Sequence, residues 1–214
     1  MGKCIYCDNI LNGQVKKATC DEILFETSNF VVTTSLGAFV EGWVLIISKR
    51  HITSMSRLSE GELSELNTTM GDVRTKVEQI YGKTVVFEHG SLVPGTHFGC
   101  GIDHAHVHIV PFNYSIIPIV DQEKPNICWR PIIRIEDIIV EKKPYLFIID
   151  REERNGVISN PDSIPSQFIR RVLAKHLGIP ESFDYHQYLF QDKAAATYDC
   201  LKNEFNCALK AGLT

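Results

Sequence analysis

The chain has 214 residues, 44% of them hydrophobic, with 22 Lys and Arg against 26 Asp and Glu for a net charge of −4. That is ample for one domain with a real core, or for one domain plus a substantial extension, and it leaves no basic footprint for a nucleic-acid polymer. No apolar run approaches the ~20 residues of a transmembrane helix, so no membrane partner is expected. Seven cysteines, irregularly spaced apart from Cys4 and Cys7, do not read as a disulfide framework. The N-terminus lacks the apolar stretch of a signal peptide, and Met1-Gly2-Lys3 is not followed by the Ser/Thr of a myristoylation site. The expected location is therefore cytoplasmic and reducing.

In chain order, the first feature is Cys4-Ile5-Tyr6-Cys7. Two thiols at this spacing can turn both sulfurs toward one ion as half of a tetrahedral zinc site; the alternative is two incidental thiols. A helix is predicted from Ser59 to Tyr81. It opens with the capping box Ser59-x-x-Glu62 and carries the stripe Leu63, Leu66, Met70, Val73, Val77, which should lie on a sheet. Then comes Asp103-His104-Ala105-His106-Val107-His108-Ile109-Val110-Pro111. On a strand the three imidazoles share one face and the apolar residues cover the other. At ~3.3 Å per residue the outer two start ~13 Å apart, too far for all three to hold one metal, so they must divide labour. Beyond Pro111, residues 113–131 read as irregular with a short strand at Ile116–Val120. Tyr145–Asp150 and Gly156–Ser159 read as a hairpin. A helix over Ser166–Leu177, started by Asp162-Ser163-Ile164-Pro165 and stopped by Gly178, precedes a last helix over Ala194–Ala211. Internal repeats and low-complexity tracts are absent.

The histidine run resembles the signature of the histidine-triad (HIT) nucleotide-binding family, His-φ-His-φ-His-φ-φ with φ apolar. Ile23–Glu26, Phe30–Val32, Gly42–His51 and Thr84–Glu88 look like that family's other strands and turn, so the resemblance covers roughly residues 4 to 112. It implies an α+β histidine-triad fold, an antiparallel sheet with a long helix packed on it, in a catalytic domain at 1–112, with an α+β extension at 113–214 packing on it. It also implies a structural zinc on Cys4, Cys7, His51 and His104. The middle histidine, His106, is then the nucleophile that forms a covalent nucleotidyl intermediate, and His108 contacts the phosphate or stabilises developing charge. Around these the pattern departs from the family's. Gly99-Cys100-Gly101 stands where Gln and Ser/Thr are usual, leaving Cys100 and Gly101 to offer backbone N–H groups to phosphate. Glu88 stands where an amide is usual, and is protonated, turned away or replaced in its polar role by His89. Ser35 stands at the ribose-binding position and Trp43 at that of a histidine. In the tail, Gln167 and Arg171 fall one turn apart and suit a phosphate or substrate contact, the alternative being a solvated basic face.

The implied activity is release of a nucleoside monophosphate from a phosphoanhydride, phosphoramidate or phosphoester of a nucleotide or dinucleotide substrate, with water, phosphate or a sugar phosphate as acceptor. The rival readings are a non-catalytic nucleotide-sensing module and a metal-dependent hydrolase. The tail either walls the pocket or covers a surface on which compact members dimerise, leaving monomer and homodimer both open.

Overall fold

The computed structural model describes residues 4–12, 21–92, 95, 101–125, 127–132, 135–140, 143–150, 155–159 and 164–211. Eight strands form one sheet: β1 (Ile23–Glu26), β2 (Phe30–Thr34), β3 (Val44–Ser48), β4 (Thr84–Gly90), β5 (His106–Pro111), β6 (Arg130–Pro131), β7 (Tyr145–Ile149) and β8 (Asn155–Ser159). Their order across the sheet is β1-β2-β3-β5-β4-β7-β8-β6, and every pairing is antiparallel. The fold is α+β. Strand β7 pairs with β4 from Val86↔Ile149 to Gly90↔Tyr145, so the second half of the chain continues the sheet of the first.

Among the described residues four α-helices cover the sheet: α1 (Glu60–Tyr81), α2 (Ile117–Glu123), α3 (Phe168–His176) and α4 (Gln191–Ala211). Helix α1 starts where its capping box says it should. The Ser59 hydroxyl accepts the Glu62 N–H, and the Glu62 carboxylate accepts the Ser59 N–H at 2.7 Å. Its stripe Leu63, Leu66, Met70, Val73 and Val77 is buried against Val44, Ile46, Val86, Val107 and Ile109 of the sheet. Five such side chains contribute gross hydrophobic stabilisation on the order of 10 kcal/mol. Helix α4 packs beside them, stacking Phe205 on Phe25 with ring centroids 5.5 Å apart.

The opposite face receives α2 and α3. Phe168, Ile169, Val172 and Leu173 of α3 join Trp43, Leu45, Ile47, Phe87, Leu146 and Ile148 in a second core. Two expectations change here. Ile116–Val120 was expected as a strand, yet Ile117–Glu123 is helical, with Pro118 in the first turn, where its missing N–H costs nothing. Buried Asp150 accepts the Ile116 and Ile117 N–H groups at 3.1 and 3.2 Å, capping that helix from β7's end. Helix α3 begins at Phe168 rather than Ser166, because Gln167 adopts a left-handed conformation with φ +59°. The hairpin is present as β7 and β8, with its turn at 151–154 outside the described residues.

Candidate active site and metal cluster

Strand β5 lies between β3 and β4, with Leu45 and Phe87 both opposite His108. The strand period therefore sends Val107 and Ile109 onto α1 and His106 and His108 toward α3. Both imidazoles are buried, and both line a cleft together with Tyr6, Ser35, Leu36, Ile102, Arg170 and Tyr185.

Hydrogen bonds decide which nitrogen of each ring carries the proton. His106 Nδ1 lies 2.6 Å from the His104 carbonyl, which can only accept, so Nδ1 is the donor and Nε2 of the neutral ring bears a lone pair. His108 is the reverse. Trp43 Nε1–H, which can only donate, reaches His108 Nδ1 at 3.1 Å, so the neutral ring carries its proton on Nε2. Phe87 stacks on the His108 ring at 4.4 Å, and Tyr6 meets His106 edge-on at 5.3 Å. Burial is the main cause holding both rings neutral: His106 is pushed down to about 4 and His108 well below its usual value, with the nearby Arg170 charge adding to both. The two rings, 4.9 Å apart by centroid, thus present a lone-pair nitrogen on one and an N–H donor on the other.

His104 faces a different partner. Its Nε2 donates to the Ser48 carbonyl at 2.6 Å, leaving Nδ1 as the lone-pair nitrogen. That nitrogen lies 3.3 Å from Cys4 Sγ, 3.5 Å from Cys7 Sγ and 3.2 Å from His51 Nδ1. Cys7 Sγ is 3.4 Å from His51 Nδ1, and all four ligand atoms lie within 4.8 Å of one another. A tetrahedral ion with bonds of ~2.05 Å to N and ~2.3 Å to S has N–N and N–S edges of ~3.3 and ~3.6 Å. The cluster matches those edges, so these four residues can hold a metal ion. Burial and the neighbouring Cys4 thiol push Cys7 up to about 11 in the absence of a cation; a bound ion reverses that by holding both sulfurs as thiolates.

The other sequence candidates divide. Ser35 lines the cleft, while Gly101 lies outside its lining but against Tyr185, a Cβ there coming 2.6 Å from Tyr185 Oη, with a φ of +84° that favours glycine. Cys100 lies outside the described residues. His89 is buried on the His106 side, and burial first, with the neighbouring His106 ring second, pushes it down to about 3. Glu88 is turned to the α1 face, where it accepts Tyr145 O–H at 2.5 Å and Met55 N–H at 2.7 Å. Burial pushes it up to about 7. Arg171 is exposed, donates to the Ser166 carbonyl and lies over the Phe183 ring. Gln167 is buried outside the cleft lining.

The residue sequence reasoning passed over is Arg170, the neighbour of the one it chose. Arg170 stands three and four residues before buried Leu173 and Ala174, so it belongs to the apolar stripe of α3, whereas Arg171 shares the polar face with Lys175. That placement in the stripe was readable from the sequence.

Residues 16–114 match the model of the HIT domain family. The match contains His51 and the triad but neither Cys4 nor Cys7, and none of α3. A curated relative, the asymmetrical bis(5'-nucleosyl)-tetraphosphatase of Schizosaccharomyces pombe, is 24% identical over 90 residues, 42% of this chain. The chain spans about half the length of that relative, 48%. Among solved structures, a histidine triad nucleotide-binding protein of Sulfolobus tokodaii is 21% identical, with a TM-score of 0.41 over 50% of this chain and 68% of its own. A zinc-bound histidine triad family protein of Mycobacterium smegmatis is 16% identical, with a TM-score of 0.41 over 63% and 86%.

Proposed function

We propose, on the premise that residues 16–114 are a HIT domain, that this chain is a nucleotide hydrolase or nucleotidyltransferase working through His106. The observation that carries the reading is the opposed protonation of two buried rings 4.9 Å apart by centroid, with a lone pair on His106 Nε2 and a proton on His108 Nε2. His106 Nε2 forms a bond to phosphorus as the bond from phosphorus to the leaving group breaks, and the electron pair departs with that group. The His108 N–H donates to a phosphoryl oxygen as negative charge builds there. The oxygen of water or another acceptor then bonds to phosphorus as the Nε2–P bond breaks, the electron pair returning to His106 and the acceptor's proton passing to solvent. Burial keeps His106 unprotonated at neutral pH, so no base is needed to prepare it.

Cys4, Cys7, His51 and His104 would hold zinc, which when bound supplies a structural tie rather than reaction chemistry, because four protein ligands leave no open position. The tie fixes the N-terminal turn to the start of β5 and with it Tyr6 against His106.

The test is nucleoside monophosphate release from a panel of dinucleoside polyphosphates and nucleoside phosphoramidates, comparing wild type with His106→Ala. Loss of turnover with retained nucleotide binding supports the covalent route. Equal rates in the two proteins sink it. Zinc at one equivalent by metal analysis, with activity after chelation falling only as fast as the fold is lost, separates this reading from a metal-dependent hydrolase.

A further inference from the structure

The extension beyond β5 contributes a fixed positive charge to the cleft, and the fold goes to some length to hold it there. Arg170 is almost fully buried and lines the cleft beside His106 and His108. Its Nε donates to the Phe183 carbonyl at 2.9 Å and its Nη2 to the Gly37 carbonyl. Its guanidinium carbon lies 4.6 Å from the Trp43 ring centroid and 5.8 Å from that of Tyr185. The loop after β2 is shaped to this arrangement. Gly37 has φ +67°, and a Cβ there would come within 2.4 Å of Tyr185 Cβ and 3.0 Å of Arg170 Nη2. A side chain at Gly37 would therefore displace both.

The cleft residues form an ordered row. Tyr6 flanks His106, His106 and His108 are 4.9 Å apart by ring centroid, and Trp43 donates to His108 while its ring lies under Arg170. A phosphoryl group engaged by His106 and His108 thus has Arg170 on the His108 side, away from Tyr6. Guanidinium binds phosphate oxygens through paired N–H groups and cannot give up its proton at any working pH. Among the described residues no carboxyl group lines the cleft. An amine leaving from a phosphoramidate needs a proton, whereas the phosphate chain leaving from an anhydride departs as an anion and needs a cation. Arg170 supplies that cation.

We propose that Arg170 is the receptor for the phosphate adjoining the one that His106 attacks, so that the site selects phosphoanhydrides over substrates with uncharged leaving groups. This deepens the His106 reading and rests on it for the identity of the attacked phosphate. The extension is then part of the active site, and specificity is written outside the region that matches the domain family.

The experiment pairs substrates of one nucleoside, adenosine or guanosine, that differ only in the leaving group: a pyrophosphoryl-linked anhydride against an amine-linked phosphoramidate. Arg170→Met and Arg170→Lys are compared with wild type by kcat/KM, with thermal melting as the check on folding. The expected result is a loss of ~10²-fold for the anhydride in Arg170→Met, under ~5-fold for the phosphoramidate, and partial recovery for the anhydride in Arg170→Lys. Equal losses for both substrates, or no loss, would overturn the assignment. Because Arg170 is buried and a variant can fail to fold, a second measurement uses the native arginine. Full-length His106→Ala should bind the nucleoside diphosphate at least ~10-fold more tightly than the monophosphate, and equal affinities also overturn it. If wild type cleaves neither substrate, the covalent reading fails while the affinity comparison still decides the role of Arg170.

Discussion

The two faces of the central sheet are cut from the same strands yet use burial for opposite ends. Toward α1, Val86, Val107 and Ile109 meet Leu63, Leu66 and Val73, and water is excluded from apolar groups that gain by it. Toward α3, alternate residues of those strands bury His89, His106 and His108 with Arg170, groups that lose solvation there. Both faces carry an apolar core. The second accepts a cost in stability so that two imidazoles stay neutral in fixed tautomers beside a permanent cation. Even the ionisable group on the α1 side differs in kind: Glu88 is tied to Tyr145 and Met55 and has no view of the cleft.

Substitutions on each face should report that division. The largest effect is expected from His106→Ala, with turnover falling ~10³-fold or more and the melting temperature little changed, measured by product release and calorimetry. A large loss of stability with residual activity per folded molecule intact would erase the contrast. Next is Leu66→Ala on the α1 face, expected to cost about 2–5 kcal/mol of unfolding free energy while leaving kcat near wild type. Denaturant unfolding combined with steady-state kinetics checks both halves.

Glu88 gives the contrast a pH signature. Its folded value of about 7 exceeds the ordinary 4.5, so the folded state binds more protons than the unfolded one between those values. Its contribution is therefore fully present below pH 4.5, declines as pH rises to 7, and is constant above. The decline is on the order of 3 kcal/mol at most. Glu88→Gln should remove it, so the difference in stability between wild type and variant grows in the variant's favour from pH 5 to pH 8. A difference independent of pH would show that the carboxyl titrates normally.

The smallest effect probes Trp43. Trp43→Phe keeps a ring but removes the N–H that fixes His108, and kcat should fall ~10–100-fold, the usual cost of losing such an orienting hydrogen bond. Nitrogen NMR of His108 should report Nε2–H in wild type and a mixture of tautomers in the variant. An unchanged tautomer would assign the orientation of His108 to Phe87 stacking instead.

Much of this molecule was determined locally and was readable without coordinates. The capping box at Ser59 and the stripe through Val77 specify α1 because hydrogen bonds and apolar spacing within a few residues are enough to do so. Alternation at His106 and His108 specifies a strand with both imidazoles on one side, although His104 lies just before that strand, and Cys4 with Cys7 specifies half of a cluster, completed by His51 and His104, that can hold a metal ion. What the residues could not disclose was set by groups distant in the chain. Glu88 reads as a site residue until Tyr145, 57 positions away, is seen to hold it on the other face. Ile116–Val120 reads as a strand until Asp150 caps a helix there. The place of Arg170 in the apolar stripe of α3 was local information, but its seat against the loop at Gly37, 133 positions away, was not. Hydrogen bonding along a helix or strand is encoded nearby, whereas the burial of a charge and the proton position on an imidazole depend on whatever the fold brings against them. Only the tertiary structure could decide those.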